Sequence, residues 1–266
     1  MHFNISSVDL IIREVANEIV LPKFRSLQAC DIKTKISGGL VTIADIEAEK
    51  LLRRRLLELL PGSLFVGEES CAIDPSILSQ LYDDSPVWIV DPIDGTSNYS
   101  EGKKQFAMII ALMKKGKTVA GWIYDPIHNK TCISEVGAGA WCEGTRLKIN
   151  APISIESWRA SFTKKSATKL HLNSTFAILK KNIVRYKCVG LEYFHLAQNR
   201  LQCARYGGEL KPWDHAAGGL IHREAGGFSG NLKTHVPYNG QKGILKQSIL
   251  MTPDKISWLK LAKILD

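Results

Sequence analysis

Two aspartates end a short apolar run in the stretch PVWIVDPIDGTSNYSEG, Pro86 to Gly102. The run Val87–Val90 is apolar enough to be a buried strand. Pro92 has no N–H and cannot extend a ladder, so the chain is expected to turn directly after Asp91. Across such a turn Asp91 and Asp94 can point at one place, joined by the Ile93 carbonyl. Carboxylates that close repel, and one protonates unless a cation intervenes. Hard cations such as Mg²⁺ take oxygen ligands in this way. Gly95 removes a side chain where a ligand must approach. If Thr96 and Ser97 open a helical turn, its free N–H groups form an anion site beside the cation. Together these parts suit a phosphate ester. A helix cap at Asp94 is the plain alternative, but it leaves Asp91 unexplained.

Other acids follow the same grammar. Gly67-Glu68-Glu69 comes after a short apolar strand, Leu64–Val66, and ligands of α/β sheets gather beyond the carboxyl ends of strands. Glu69 can equally be a solvated surface acid. Asp214 in Lys211-Pro212-Trp213-Asp214 and Asp45 in Thr42-Ile43-Ala44-Asp45 both stand where helices begin, and capping alone would account for either.

The elements that would position these acids are legible in outline. Helices are expected over Ser7–Cys30, with Pro22 as a kink, and over Ile43–Leu60, closed by Pro61-Gly62. The Arg53-Arg54-Arg55 run reads as a solvated face. Strands follow at Val87–Val90, Phe106–Met113, Thr118–Tyr124 and Lys130–Ser134, with a hairpin turn at Lys115-Gly116. A change of texture at Asn150-Ala151-Pro152 divides an N-terminal half, 1–150, from a C-terminal half, 151–266, packed as one unit. Beyond it, strands at Ala160–Thr163, Ile183–Cys188 and Gln202–Tyr206 alternate with helices. Those helices are expected at Ala167–Leu179, from about Tyr193, at Trp213–Ala225 and at Asp254–Leu265. Antiparallel hairpins first and α/β alternation second imply a layered α/β architecture.

The 266 residues carry a formal net charge of +9, with a sequence pI of about 9.2, which suits anionic partners. The six cysteines include no C-x-x-C pair and read as reduced and mostly buried. Charged residues interrupt the N-terminal apolar positions, and no apolar run approaches the ~20 residues of a membrane span. A cytoplasmic protein with no membrane partner is the expectation.

The strings GEES (Gly67–Ser70), DPIDGTSNY (Asp91–Tyr99) and PWDHAAG (Pro212–Gly218), with VTIAD (Val41–Asp45) upstream, resemble the inositol monophosphatase family in order and spacing. The resemblance implies an αβαβα five-layer sandwich of the inositol monophosphatase and fructose-1,6-bisphosphatase type, commonly a homodimer. It implies two or three Mg²⁺ ions held by Glu68, Asp91, the Ile93 carbonyl, Asp94 and Asp214. Asp45 and Thr96, with Glu68, would orient and activate the attacking water. Gly95, Thr96 and Ser97 would hold the phosphate, and Asp94, Gly190, Glu192 and Asp214 the rest of the substrate. The implied activity is Mg²⁺-dependent hydrolysis of a small phosphorylated metabolite, inositol 1-phosphate or a related polyol or sugar phosphate.

Two departures bear on this. Ser37-Gly38-Gly39 stands where the family often has an aspartate before Leu-Val-Thr, although Lys35 can fill its upstream lysine position. Gly207 stands where inositol-specific members carry a glutamate, and Gly190-Leu191-Glu192 replaces small residues. A hydroxyl-reading site that lacks such a partner loses discrimination; Glu192 either compensates or is a structural acid. A bisphosphate nucleotidase or histidinol-phosphate phosphatase is thus the enzymatic alternative. The non-enzymatic one is an RNA partner in a transcription complex, with Lys114-Lys115, Lys164-Lys165 and Lys180-Lys181 as its footprint.

Overall fold

The computed structural model describes residues 4–35, 38–150, 157–163, 166–168, 182–238 and 240–265. The N-terminal helix α1 (Ile5–Val15) is capped by the Asn4 side chain. It passes through a π-helical turn, Ala16–Val20, into the short α2 (Leu21–Lys23). The helix therefore stops near Pro22 and does not reach Cys30. Phe24 is extended and Arg25 takes φ 66°, which no right-handed helix accommodates. A small hairpin, β1 (Ile32–Thr34) with β2 (Leu40–Thr42), leads into α3 (Ile43–Leu59).

A seven-stranded sheet follows in the order β3 (Leu64–Gly67), β4 (Val87–Asp94), β5 (Ala107–Lys114), β6 (Lys117–Asp125), β7 (Lys130–Glu135), β8 (Gly139–Cys142) and β9 (Thr145–Leu147). Only β3 and β4 run parallel in it. Between β3 and β4 lies α4 (Glu68–Ile73), and after β4 comes the single turn α5 (Thr96–Ser100). A second, five-stranded sheet has the order β11 (Ile183–Val184), β10 (Ala160–Ser161), β12 (Cys203–Leu210), β14 (Leu245–Thr252) and β13 (Phe228–Asn231). Helices α6 (Val189–Ala197) and α7 (Pro212–Glu224) lie between the sheets, and α8 (Lys255–Leu265) closes the chain.

Strand alternation builds the layers. On β4 and β5, Trp88, Val90, Met108, Ile110 and Leu112 pack with Val8, Ile12, Leu52 and Leu56 of α1 and α3. Their neighbours Val87, Ile89, Ile109 and Ala111 face the other way, onto Phe194, Ala217 and Ile221 of α6 and α7 and onto Ile249 and Met251 of β14. The far side of the second sheet packs Leu250 and Cys203 against Trp258 and Leu261 of α8. The result is the expected αβαβα order.

Several boundaries differ from expectation. β4 does not end at Asp91: it continues to Asp94 through a bulge, with Asp91 opposite Ile109 and Asp94 opposite Ala107. Pro92 sits in that bulge, beyond the last β3 partner, so its missing N–H breaks no ladder bond. Helix α6 begins at Val189, not Tyr193, because the Cys188 sulfur accepts from the Leu191 N–H and caps it. The hairpin β1–β2 and strands β13 and β14 were not anticipated. The helix expected at Ala167–Leu179 falls mostly outside the described residues, as do Lys164-Lys165 and Lys180-Lys181.

Close packing holds α7 in place. A Cβ at Gly218 would lie 2.1 Å from the Tyr193 ring, and Tyr193 is fully buried. Neither the ring nor the helix backbone has room to move. Gly218→Ala should therefore cost about 1–3 kcal/mol, seen as a lower urea midpoint with an unchanged m-value. Wild-type stability in that variant would show that the α6–α7 contact is looser than described.

Candidate active site

Register brings the first two acids together. The parallel pairing of β3 with β4 sets Gly67 beside Val90, so one step further on Glu68 comes beside Asp91. Both follow side chains, Val66 and Ile89, that face the middle layer. The N-terminus of α7 lies in that layer and delivers Asp214. Carboxylate oxygens of Glu68, Asp91 and Asp214 all fall within 4.8 Å of one another. Among the described residues this is the cluster with the proximity a metal requires.

The electrostatics of the cluster are those of a cation site. Asp91 is pushed well up by burial, then by Glu68, Asp94 and Asp214; Asp214 is pushed up by burial, then by Glu68 and Asp94. Glu68 and Asp91 crowd each other, a repulsion that a proton or a cation between them would relieve. Burial would raise Glu68 too, but Lys35 and Lys211 outweigh it and hold that carboxyl below its usual range. Lys35 Nζ lies 2.8 Å from Glu68 Oε1 and 2.7 Å from Glu69 Oε1, and Lys211 Nζ 3.5 Å from Glu68 Oε1. Three crowded carboxylates, Asp91 buried and Glu68 and Asp214 half-buried, fit a hard divalent ion, which would relieve the repulsion among them.

Asp94 is placed differently. Its Oδ2 accepts from the Gly190 N–H and, at 3.1 Å, from the Cys188 thiol. Burial raises it to about 6, opposed by the Gly190 N–H. It does not cap a helix: the N-cap of α5 is Gly95, at φ 88°, the left-handed region that favours glycine. A Cβ at Gly95 would also approach the Gln105 carbonyl to 2.9 Å. The Ile93 N–H donates to Asp91 Oδ1 at 3.0 Å, which stiffens the bulge.

Asp45 does take part in a cap. Thr42 and Asp45 form a capping box on α3, with Asp45 Oδ2 accepting from the Thr42 N–H at 2.8 Å and hydroxyl at 2.5 Å. That leaves Asp45 Oδ1 facing Thr96 Oγ1 at 3.2 Å, while the same hydroxyl lies 3.0 Å from the Ile93 carbonyl. Burial raises Asp45 to about 6, against the Thr42 hydrogen bonds. Capping and site geometry thus coexist in one side chain. Ser97 follows in the first turn of α5, where the leading N–H groups of a helix lack intrahelical partners.

Four supporting residues escaped the sequence reading. Glu49 accepts from the Glu69 and Ser70 N–H groups, both at 2.8 Å, and from the Ser70 hydroxyl. It thereby caps α4, and it explains Gly67, where a Cβ would lie 2.3 Å from the Glu49 carboxyl carbon. Asn98 donates to the carbonyls of Gln105 at 2.7 Å and Tyr186 at 2.8 Å, tying α5 to the loop before α6. Cys188 and Lys211 complete the set. Glu69 is not solvated: it is buried, and burial with Glu68 pushes it up to about 8. Its one detectable sequence signal was its place beside Glu68.

A pocket of about 260 Å³ opens beside Asp94 and Asp214, lined among others by Arg185, Lys187, Glu192, Arg205 and Gly207. Glu192 is buried and accepts from the Ser161 hydroxyl at 2.6 Å, with the Tyr206 hydroxyl beside it. Burial drives it up to about 7.

The model of the inositol monophosphatase family matches residues 5–262. The Bacillus subtilis inositol-1-monophosphatase is 32% identical over 225 residues, covering 81% of this chain and 80% of that one. Nus factor SuhB of Vibrio cholerae is 31% identical over 230 residues, covering 80% and 83%. Among solved structures, the Thermotoga maritima IMPase superposes with a TM-score of 0.80 at 22% identity, covering 97% of this chain and 94% of that one. The SuhB protein of Bartonella henselae gives 0.78 at 27% identity, covering 98% of each.

The raised Glu192 has a stability consequence. Its folded pKa of about 7 exceeds the ordinary glutamate value of 4.5, so the folded state holds the proton more tightly. Stability is then greatest below about pH 4.5 and falls as pH rises to 7, beyond which the penalty is constant. Glu192→Gln keeps an acceptor for Ser161 and should stabilise the protein at pH 8 by up to about 3 kcal/mol, an advantage that fades by pH 5. Urea midpoints at the two pH values measure it, and a pH-independent difference would refute the assignment.

Proposed function

Because the chain belongs to the inositol monophosphatase family, we propose that it is a Mg²⁺-dependent phosphatase that hydrolyses a small phosphate monoester. The observation that carries this reading is the convergence of Glu68, Asp91 and Asp214 within 4.8 Å, next to the Asp45–Thr96 pair. Those three acids, with the Ile93 carbonyl and the free oxygen of Asp94, would hold two or three ions. Bound there, Mg²⁺ supplies positive charge that offsets the carboxylates and the phosphoryl oxygens of the substrate.

The chain's own groups do the rest. Thr96 has one proton for two acceptors, Asp45 Oδ1 and the Ile93 carbonyl, and its lone pairs can accept from an incoming water. Asp45, fixed by Thr42, holds the Thr96 hydroxyl in that orientation and is the nearest group to take a proton relayed through it. The N–H groups of Gly95, Thr96 and Ser97 would face the phosphate oxygens. The leaving group would occupy the pocket bounded by Gly190, Glu192 and Gly207. A cytoplasmic homodimer acting on a soluble metabolite accords with the family; among the described residues, no helix is long and apolar enough to cross a membrane.

The pocket favours a second reading of the substrate. Glu192 is committed to Ser161, and Gly207 offers no side chain to a polyol. Arg185, Lys187 and Arg205 line the same space. Glu209 lines it too, and Arg205 donates to the Ser166 and Ser248 hydroxyls. Arg185 and Lys187 are therefore the cations that suit a leaving group with a second anionic group, such as a nucleoside or sugar bisphosphate, over neutral inositol. An RNA-binding role would show as affinity falling steeply with salt, and the intact acid set favours catalysis over it.

Two measurements test the reading. Phosphate release should need Mg²⁺, vanish with a chelator and return with the metal; across an ester panel, kcat/KM should favour bisphosphates if the basic lining reads the leaving group. Asp91→Asn should lower turnover by roughly a thousandfold or more with no loss of thermal stability, since it removes a buried, repelled acid. Near-normal turnover in that variant would overturn the assignment.

A further inference from the structure

Away from this site, the outer strands of the larger sheet carry two cysteines face to face. In the antiparallel pairing of β7 with β8, Cys132 stands directly opposite Cys142. Opposed residues in such a ladder have Cα atoms about 4.5 or 5.5 Å apart, and disulfides span roughly 4.4–6.8 Å. A bridge would need no strand to move. Both side chains face the middle layer, where Gln198, just after α6, donates Nε2–H to the Cys142 sulfur at 3.3 Å.

We propose that Cys132 and Cys142 form a dithiol that is oxidised reversibly to a cross-strand disulfide by a small disulfide such as oxidised glutathione. The two thiols are matched for the two halves of that exchange. Cys142 lies at the end of β8, beside the turn at Glu143-Gly144, and keeps 7% exposure; Cys132 is fully buried. The Cys132 hydrogen bond, aided by Gln198 and opposed by burial, lowers Cys142 to about 7, whereas burial pushes Cys132 up. An attacking thiol works best with a pKa near ambient pH.

The chemistry balances. The Cys142 thiolate attacks one sulfur of oxidised glutathione, breaking its S–S bond and releasing one glutathione thiolate. Cys132 then gives up its proton and attacks the Cys142 sulfur, expelling the second glutathione. Two protein thiols lose two electrons, and one glutathione disulfide becomes two thiols. The other cysteines lack this arrangement. Cys71, Cys188 and Cys203 are buried with raised pKa values, and Cys30 is exposed without an opposed partner strand position.

The test uses the folded full-length chain carrying Cys30→Ser, which removes the exposed thiol. After equilibration in graded ratios of oxidised to reduced glutathione, acid quenching and alkylation, peptide mapping should find the Cys132 and Cys142 thiols lost together as one disulfide, restored by dithiothreitol. A further Cys132→Ser change should instead trap a glutathione adduct on Cys142. A stable Cys142 adduct in the parent, a bridge that forms only in urea, or full alkylation of both thiols at the most oxidising ratio would each overturn the proposal. The parent titration stands by itself should Cys132→Ser fail to fold.

Discussion

Repulsion among buried carboxylates is the constraint around which this structure is organised. Glu68, Asp91 and Asp214 approach within 4.8 Å in surroundings that disfavour charge, so every one of them destabilises the fold unless something positive or protic is near. The fold supplies part of that. Lys35 and Lys211 face Glu68, and the Ile93 N–H donates to Asp91. The remaining deficit is what makes the cluster suited to a divalent ion: groups that tolerated proximity well in isolation would bind a cation weakly. Strain of this kind persists only where rigid elements enforce it. Here a parallel strand pair and a helix locked at Gly218 enforce it.

How far the sequence exposed this depended on chain distance. The Asp91–Asp94 spacing, the helix after Gly95 and the apolar strand before them are local, and local pattern suffices for each. The layers followed from alternation in β4 and β5 and from the apolar stripes of α1 and α3. Pro92 misleads because its missing N–H ends only a continuous ladder, whereas the last β3 partner is Val90, two residues earlier, and a bulge absorbs the proline. Asp94 could not be separated from Asp91 by spacing, since what distinguishes them is the Gly190 N–H and the Cys188 thiol, nearly a hundred residues away. Gly67 has no local cause in the strand–glycine–acid pattern; its cause is the Glu49 carboxylate. β13 and β14 were missed because the glycines around them mask a period-2 pattern, and their pairing with β12 is what defines them.

Two sets of residues meet at this site, and they come from different elements. The clustered acids sit at the start of α4, on β4 and at the start of α7, beside the larger sheet and in the middle layer. The neighbouring pocket is built largely by β10, the loop 185–188, α6 and β12, which belong to the smaller sheet and its connections. Asp94 is the joint between them: its backbone belongs to the first set, while its carboxylate is held by Cys188 and Gly190 of the second. Asn98 reinforces the joint by binding the carbonyls of Gln105 and Tyr186 across the same gap.

That division explains why the chemistry can be read from the chain more securely than the substrate. A change at Gly207 on β12 or at Glu192 on α6 alters the pocket wall without moving a strand end or the start of α7. The clustered acids are fixed by register and helix packing, where a single shift would separate them by several ångströms. Pocket residues on β12 and α6 carry no such penalty, provided that the Asp94 contacts survive. The pocket side of Asp94 can therefore vary while the other side stays as the carboxylates require.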